Sequence, residues 1–433
     1  MGCKELRAFP GSLYLRKGKN GNHECVRHFK DRDYQPDCDY VDKVYAGENG
    51  LLSVCPGHLK VKGKNKMAST TAIAKPTPQQ QNQINRQLVL QTSNRNNLPI
   101  GNFGPFQPGG RMSQQLTNVG ILTGIVLHVV VSLDITTAAT PSRKAPWNIL
   151  SNIKFKDYQQ VDRVDCDGFA LHVHNMLKTR VMEGYANNVS PALPFSYPIS
   201  TIGSIPTAVG NNQTIEFLIY VPAAYVPEMD LSGALLMQAI NGTAFINTTF
   251  NDTFFGTDDS AVYSAGAGSV NSITVSVDQQ YLAFTTPNLP QIDLSTVYEL
   301  NGGLTLNSGI AVGQKVPFNY PNLRRVLSLL VRYENGGMLG YGNLSKLELK
   351  LNANQTLEDL SEARLRFKTL RHLGFDLPPG NYYISNRALP IDTVIYGNVQ
   401  ALVTPSNYTN PSTMTALFES FYLSGAPLGG ITG

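Results

Sequence analysis

A series of short apolar runs, rich in β-branched residues and separated by turn-forming residues, constrains the fold of this chain most strongly. Seven such runs lie between residues 120 and 405. This spacing is typical of β-sandwiches and barrels, whereas parallel α/β proteins alternate their strands with helices. The longest run, GILTGIVLHVVVSLDI at 120–135, contains polar residues and is shorter than the ~20 apolar residues of a membrane helix, so it predicts a buried strand. We therefore predict an all-β fold.

The charge of the chain is divided unevenly at Met67. Residues 1–66 contain 13 Lys and Arg against 8 Asp and Glu, a net charge of +5, whereas the rest of the chain has a net charge of −1. This neutral body lacks the basic stripe of a nucleic-acid-binding protein, so no direct sequence-specific binding of nucleic acid is expected. Charged residues make up 15% of the chain, against roughly 25% in an average soluble protein. Such low charge favours a protein that buries its flanks against copies of itself.

Composition and hydrophobic pattern divide the chain into five segments. A short helix is predicted at 77–92 with Thr77 as its N-cap, and the Gly-, Pro- and Asn-rich arm that follows it indicates no regular structure. The body then falls into two all-β stretches, which fits two eight-stranded jelly rolls in tandem with a few short helices and extended termini. The predicted segments are an extension at 1–66, the helix and arm at 67–112, the first jelly roll at 113–285, the second at 286–420 and a Gly-rich tail at 421–433.

Three further helices are predicted within the body. They lie at 229–241, 292–300 and 356–374, and the last has the clearest signals, with Thr356 as cap and Gly374 as its end. Its apolar stripe is predicted to pack in the core and consists of Leu360, Ala363, Phe367 and Leu370.

Two histidines in the strand-like stretch DGFALHVHNML, at 167–177, suggest a metal site. Alternate residues of a strand point to the same face, so His172 and His174 would share one face, as metal ligands do in enzymes of the cupin class. Further ligands are lacking, because the next carboxylate is Glu183 and the only later histidine is His372 on a predicted helix. We therefore expect two half-buried histidines packed between sheets, with a two-barrel cupin-like metalloenzyme as the alternative.

A second group of metal-ligand types lies in residues 1–66. Cys25 with His28, and Cys55 with His58, form two pairs that loosely resemble zinc ligands, although their separation departs from the usual finger and ribbon spacings. A structural zinc would stabilise a unit this small. The segment is either a small appended Cys/His module or the product of an over-extended gene start.

Motifs of common enzyme classes are absent from the sequence. There is no phosphate-binding Gly-x-x-x-x-Gly-Lys-Ser/Thr loop and no Gly-x-Ser-x-Gly nucleophile elbow. The glycine-rich SAGAGSV at 264–270 lies between predicted strands and lacks the strand-to-helix context of a dinucleotide site. The chain is therefore expected to be no enzyme and to need no cofactor. A monomeric surface or sugar-binding β-protein is a third possibility.

Four stretches of the body resemble the double jelly-roll major capsid proteins of tectivirus-type phages. The two most specific are LPQIDLSTVYELNGGL and PPGNYYISNRALPIDTVIYGNVQALVTP, and the others are VGILTGIVLHVVVSLDITT and IEFLIYVPAAYVPEMDLSGALL. Together they sample residues from about 113 to 405. Residues 1–66 have no counterpart in this resemblance.

The resemblance implies a virion protein that forms homotrimers of pseudo-hexagonal outline. Such trimers would tile an icosahedral shell around an internal membrane and double-stranded DNA. The implied partners are neighbouring capsid trimers, minor capsid or vertex proteins, and the internal viral membrane through the N-terminal arm, with assembly in the host cytoplasm.

The composition change at Met67 yields a first testable prediction. We expect the mature chain in particles to begin at Met67 or Ala68, because the match to the family is also lost before this point. Mass spectrometry of particle-derived protein measures this start. Peptides from HFKDRDYQPDCDYVDK at full stoichiometry would contradict the prediction and favour the Cys/His module.

Overall fold

The chain divides into two compact units, Met1–Lys75 and Pro76–Gly433. The computed structural model describes the backbone of four short strands in the first unit, and in the second it describes residues 76–179, 204–227, 230–238, 242–284, 292–306, 310–352 and 355–423. In the first unit β1 (Leu13–Lys17) pairs with β2 (His23–Arg27), and β3 (Tyr45–Ala46) pairs with β4 (Leu52–Ser53). Cys25 lies in β2, and the other zinc candidates, His28, Cys55 and His58, lie outside the described residues.

The second unit begins with helix α1 (Pro78–Thr92), which has the predicted Thr77 capping box. The first barrel follows and contains β5 (Ser93–Phe106), β6 (Arg111–Gln115), β7 (Ile121–Pro141), a 3-10 helix (Trp147–Ile149), β8 (Leu150–Lys156), β9 (Asp162–Cys166), α2 (Gly168–Thr179), β10 (Gly210–Pro222), β11 (Leu235–Leu236), β12 (Phe245–Phe250) and β13 (Tyr263–Phe284).

The second barrel is built from the later strands and two more helices. Its elements are β14 (Thr296–Leu306), β15 (Val316–Asn319), β16 (Arg325–Asn335), β17 (Met338–Leu339), β18 (Leu344–Leu351), β19 (Gln355–Ser361), α3 (Glu362–Leu373), β20 (Asn381–Ser385), β21 (Ile391–Asp392), α4 (Thr393–Tyr396), β22 (Val399–Pro405) and β23 (Thr413–Leu423).

One sheet of ten strands runs through both barrels. Its order is β17-β16-β23-β14-β9-β8-β12-β6, with β20 and β21 also paired to β16. A sheet of order β10-β7-β13-β5 covers the first half, and a sheet of order β15-β22-β18-β19 belongs to the second. The halves meet where β9 and β14 pair in parallel, at Val164 with Leu300 and Asp165 with Asn301.

The predicted strand at 120–135 is an interior strand in one sheet of the first barrel. It forms the first part of β7, which pairs with β10 on one side and β13 on the other. Alternate side chains point into the core, and Leu127, Val129 and Val131 are completely buried. The strand prediction for this run is confirmed.

The stretch that contains the two histidines is helix α2, so the strand prediction for it was wrong. The carboxylate of Asp167 accepts a hydrogen bond from the Ala170 backbone at 2.9 Å and so caps the first turn. Phe169, Leu171 and Val173 are all completely buried. A helix that is buried on several sides produces a continuous apolar run, which periodicity cannot distinguish from a buried strand.

Two of the three predicted body helices are also wrong. In the region 229–241 the described residues form turns and β11, with Asp230 accepting a hydrogen bond from the Ser232 backbone and Gly233 at a φ of 88°. The region 292–300 leads into β14, because Asp293 accepts from the Ser295 backbone in a turn and the chain then extends. Asp, Ser and Gly form such local turns as readily as they cap helices.

The third helix is shorter than predicted, and the side that it buries is not the predicted side. Residues up to Ser361 belong to β19, and α3 ends at Gly374 as predicted, with a φ of 85°. Its buried side includes Leu365 and Thr369, whereas Phe367 is 65% exposed and Leu370 is 46% exposed. Of the predicted stripe, Leu360 packs partly against the core of the second barrel, whereas Ala363, Phe367 and Leu370 are exposed.

The arm after α1 is also regular, contrary to prediction. β5 pairs with β13 from Ile273–Phe106 to Phe284–Ser93, so the extended arm completes a sheet of the first barrel. Helix α1 itself is held by Val89, which is completely buried in a small cluster with residues such as Ile121 and Leu282. None of the helices that the structure describes has both the length and the apolar character to cross a membrane.

Candidate functional site

Helix α2 lies between the two barrels and separates the two histidines. Successive residues of an α-helix are about 100° apart, so His172 and His174 project to different sides. The His172 ring stacks on Trp147 of the first barrel, with centroids 3.6 Å apart. His174 Nε2 lies 3.5 Å from a carboxylate oxygen of Glu419 in β23 of the second barrel. The two imidazoles therefore do not form a shared metal site.

Both histidines are almost completely buried, rather than half-buried as expected. Burial lowers the pKa of His172 to about 3, so its ring is neutral at ordinary pH. Burial also lowers the pKa of His174, although the neighbouring Glu419 opposes this shift. Within the described part of the chain, no three His, Cys, Asp or Glu side chains are grouped so that they could hold a metal ion.

Glu419 is the centre of a buried polar cluster that joins the barrels. Its carboxylate lies 3.1 Å from the Lys178 ammonium of α2 and 3.0 Å from the Arg387 guanidinium. It also accepts hydrogen bonds from the hydroxyls of Ser328, at 2.6 Å, and Tyr298, at 3.0 Å. Its acceptor capacity is therefore filled by groups from both barrels.

The electrostatics of this cluster favour a charged Glu419. Burial alone would raise the pKa of its carboxyl, but the charge of Lys178, the hydrogen bond and charge of His174 and the charge of Arg387 hold that pKa well below its usual range. Burial lowers the pKa of Lys178 to about 8, although Glu419 opposes this shift. The Lys178 ammonium also lies 3.5 Å from the ring centroid of Tyr225, which is a favourable position for a cation.

A second ionic chain crosses the same junction. Arg332 of β16 donates two hydrogen bonds of 2.9 Å to the two carboxylate oxygens of Asp167, the residue that caps α2. Its Nε lies 2.9 Å from Glu334, whose other oxygen accepts a 3.0 Å hydrogen bond from Lys144 of the first barrel. Such two-pronged arginine contacts fix orientation as well as distance.

A cleft of about 150 Å³ opens beside this ionic chain. Asp165, Asp167, Arg332 and Asn152 contribute to its polar wall. These groups already bond to one another, since Asn152 donates to Asp165 at 2.9 Å and Arg332 to Asp167. The cleft is therefore part of the junction.

Sequence reasoning did not identify the seven charged residues of this junction: Glu419, Lys178, Arg387, Arg332, Asp167, Glu334 and Lys144. A signal existed for two of them, because Arg332 interrupts the apolar run RVLSLLVRYENGG and Glu419 interrupts TALFESFYL. A charge inside a buried strand requires a partner. The sequence does not show which residue is the partner of each charge, because Lys178 of α2 and Glu419 of β23 are far apart along the chain.

Solved structures of viral capsid proteins share the fold of this chain. The crystal structure of the STIV MCP aligns with a TM-score of 0.56 and 11% identity, covering 76% of this chain and 97% of that one. A quasi-atomic model of the PBCV-1 virus capsid aligns with a TM-score of 0.55 and 11% identity, covering 76% of this chain and 93% of that one. The fold is thus the double jelly roll of viral capsid proteins, as predicted.

Sequence comparison narrows this class. The model described as P3 major capsid protein N-terminal matches residues 64–299, and the one described as P3 major capsid protein C-terminal matches 295–426. The chain belongs to the P3 major capsid protein family. It is 28% identical over 369 residues to the major capsid protein P3 of Enterobacteria phage PRD1, covering 78% of this chain and 89% of that protein. The chain is therefore a capsid protein of a phage virion and not an enzyme, which confirms the predicted resemblance and the predicted role as a major capsid protein.

The buried neutral state of His172 predicts acid sensitivity. The unfolded chain binds a proton on this histidine below about pH 6.5, whereas the folded protein resists protonation down to about pH 3. The free energy of unfolding should therefore fall by up to ~1.4 kcal/mol per pH unit as the pH drops through this window. His172→Phe, which retains a ring against Trp147, should lose this part of the slope in denaturant titrations at neutral and acidic pH. The exposed His372→Phe is the control, and an unchanged slope in His172→Phe would contradict the prediction.

The charge of Glu419 should be essential to the junction. Glu419→Gln leaves Lys178 and Arg387 buried without a counter-ion, and should lower the free energy of unfolding by ~3–5 kcal/mol. Asp359→Asn, which removes a half-exposed carboxylate near Lys346, should change it by ~1 kcal/mol or less. Adding Lys178→Met to Glu419→Gln should recover part of the loss in chemical unfolding. Equal effects of Glu419→Gln and Asp359→Asn would show that the junction does not depend on this charge.

Proposed function

We propose that this capsid protein forms a homotrimer of pseudo-hexagonal outline, and that these trimers tile an icosahedral shell around an internal membrane and double-stranded DNA. The observation that carries the trimer is the uneven distribution of exposed apolar side chains. Ten of the thirteen large hydrophobic residues exposed in the described chain belong to the second barrel, at positions 312–408, so the two barrels offer different surfaces. Different surfaces suit a head-to-tail contact between copies. Such a contact closes into a ring when the rotation from one copy to the next brings the last copy back to the first.

The electrical neutrality of the body supports the same proposal. With a net charge of −1 outside residues 1–66, copies can approach without strong repulsion or the desolvation of many ions. The rigid ionic junction between the barrels would keep the two different surfaces at a fixed angle. A ring of identical contacts requires such a constant angle.

The proposed partners are neighbouring trimers, minor capsid or vertex proteins and the internal viral membrane, with assembly in the host cytoplasm. Helix α1 supports the membrane contact through its outward side chains. Ile84 is 51% exposed and Leu88 is 44% exposed, whereas Arg86 anchors the helix by donating a 2.7 Å hydrogen bond to Ser232. The anchored helix thus presents apolar groups away from its own subunit.

Multi-angle light scattering of the purified chain at micromolar concentration tests the trimer. We expect a mass of three chains, with a total burial of ~2,000–5,000 Å² per interface, which is typical of obligate assemblies. Dilution should not release folded monomers, because an obligate interface of this size dissociates only with unfolding. A monomer that is folded and stable to heating would overturn the proposal.

A further inference from the structure

One end of the second barrel carries a cluster of highly exposed aliphatic side chains, here called the end patch. It consists of Leu389, Ile395, Val394 and Leu323, which are 81%, 73%, 57% and 50% exposed. The first two are the most exposed large hydrophobic residues in the described part of the chain. Isolated exposed aliphatic side chains are ordinary, but four of them on α4 and the loops next to it indicate a contact surface.

Hydrogen bonds bring the end patch together from two separate loops. The backbone N–H of Thr393 donates to the Arg324 carbonyl at 2.9 Å, which places Leu323 beside the start of α4. Arg325 pairs with Asp392 in the β16–β21 ladder, so the loop that contains Leu389 lies at the same end of the barrel as Leu323. The patch is therefore a fixed feature of the barrel end.

Helix α1 lies at the same end of the molecule. Arg325 at the start of β16 pairs with Phe421 of β23, and Leu423 of β23 pairs with Thr296 at the start of β14. Just before β14, the Asp293 carbonyl accepts a 3.1 Å hydrogen bond from Arg86 of α1. The exposed Ile84 and Leu88 of α1 and the end patch thus lie at the same end of the strands of the ten-stranded sheet.

The backbone beneath the end patch has its polar groups paired internally. The Thr393 hydroxyl accepts from the Arg324 N–H at 2.9 Å and lies 3.0 Å from the Pro321 carbonyl, to which it can donate. The Asp392 carboxylate accepts from the Val394 N–H at 3.0 Å, and the Gly397 N–H donates to the Thr393 carbonyl at 3.2 Å. These groups can leave water without losing hydrogen bonds, which a surface entering a low-dielectric medium requires.

Leu323 is held in a backbone conformation that leucine rarely adopts. Its φ is 57°, in the left-handed region that favours glycine. A glycine would relieve the strain, but it would remove the exposed side chain. Strain of this kind persists where the surrounding structure enforces it, and it accumulates at functional surfaces.

We infer that the end patch inserts into the headgroup region of a lipid bilayer, as a second membrane contact besides α1. The four side chains are purely aliphatic and lie in α4 and two neighbouring loops, whereas protein–protein contacts concentrate Trp, Tyr and Arg in well-packed pockets. The neighbouring Arg325 pairs through its Nε with the Asp392 carboxylate at 3.2 Å, but its side chain is 71% exposed, so the rest of the guanidinium can meet anionic headgroups. Such a combination of apolar tips and a flanking cation is typical of interfacial membrane binding. The inference rests on the proposed membrane-lined capsid and adds a specific surface to it.

Flotation of the purified full-length chain with vesicles tests the contact. The vesicles contain phosphatidylethanolamine with phosphatidylglycerol, and a parallel series contains phosphatidylcholine alone. Leu389→Ser with Ile395→Ser should lower the vesicle-bound fraction about tenfold or more, because two aliphatic side chains no longer enter the bilayer. The matched control is Val209→Ser with Val312→Ser, which removes two aliphatic groups of 63% and 61% exposure.

These control residues lie at the other end of the barrels. Val209 precedes the pairing of Gly210 with Ile135, late in β7, and the Gly313 N–H bonds the carbonyl of Pro405 at the far end of β22. The control variant should bind vesicles like the wild type. Equal binding by the end-patch variant, or no binding by the wild type, would overturn the inference.

Light scattering on the same samples separates this inference from the proposed assembly. Trimers that fail to bind vesicles would overturn the membrane contact alone, and a monomeric wild type would overturn the trimer. Loss of self-association in the end-patch variant would instead assign the patch to a contact between copies of the chain.

Discussion

The buried carboxylate of Glu419 is the interaction on which the arrangement of the two barrels depends. It stands on β23 of the second barrel, and Lys178 of the first barrel reaches it at 3.1 Å. A charge taken out of water is tolerated only where its counter-ions and hydrogen-bond donors are correctly placed. Apolar side chains would allow the barrels to slide against each other with little change in energy. The buried carboxylate prevents such sliding, because its partners must stay in place. The junction therefore contributes orientation more than net stability.

This orientation is fixed at two further points. Arg332 bonds both oxygens of Asp167, and the backbone of β9 pairs with that of β14. Because Asp167 also caps α2, the helix that carries His174 and Lys178 is positioned by the same guanidinium that ties the barrels together. A shift of one barrel would therefore break the cap, the ion pairs and the sheet together, and that coupling makes the double barrel suitable as a rigid building block.

Sequence patterns predicted the elements that carry a clear local signal, and failed where complete burial removes that signal. Strand β7 was predictable because its run is rich in Val and Ile and too short and polar for a membrane helix, and α1 because Thr77 and Pro78 mark its start. Helix α2 was not, because complete burial removes the contrast between its sides. The apolar positions of α3 were assigned to the core although Phe367 points to solvent, since the pattern shows which side is apolar and not what covers it. The junction escaped prediction because its partners meet only in the folded chain.

Two features of this chain depart from those of an ordinary soluble monomer. Paired ions are buried between the barrels, and large hydrophobic residues such as Phe367 and Ile395 stand in water. Buried ions contribute little net stability and exposed apolar groups contribute none, so the stability of the isolated chain comes from the apolar cores of the two barrels and not from these two features. Assembly into a shell explains both the buried ions and the exposed apolar groups. The ions hold each barrel pair in one geometry, and the exposed apolar groups become stabilising only when other copies, or a bilayer, remove them from water.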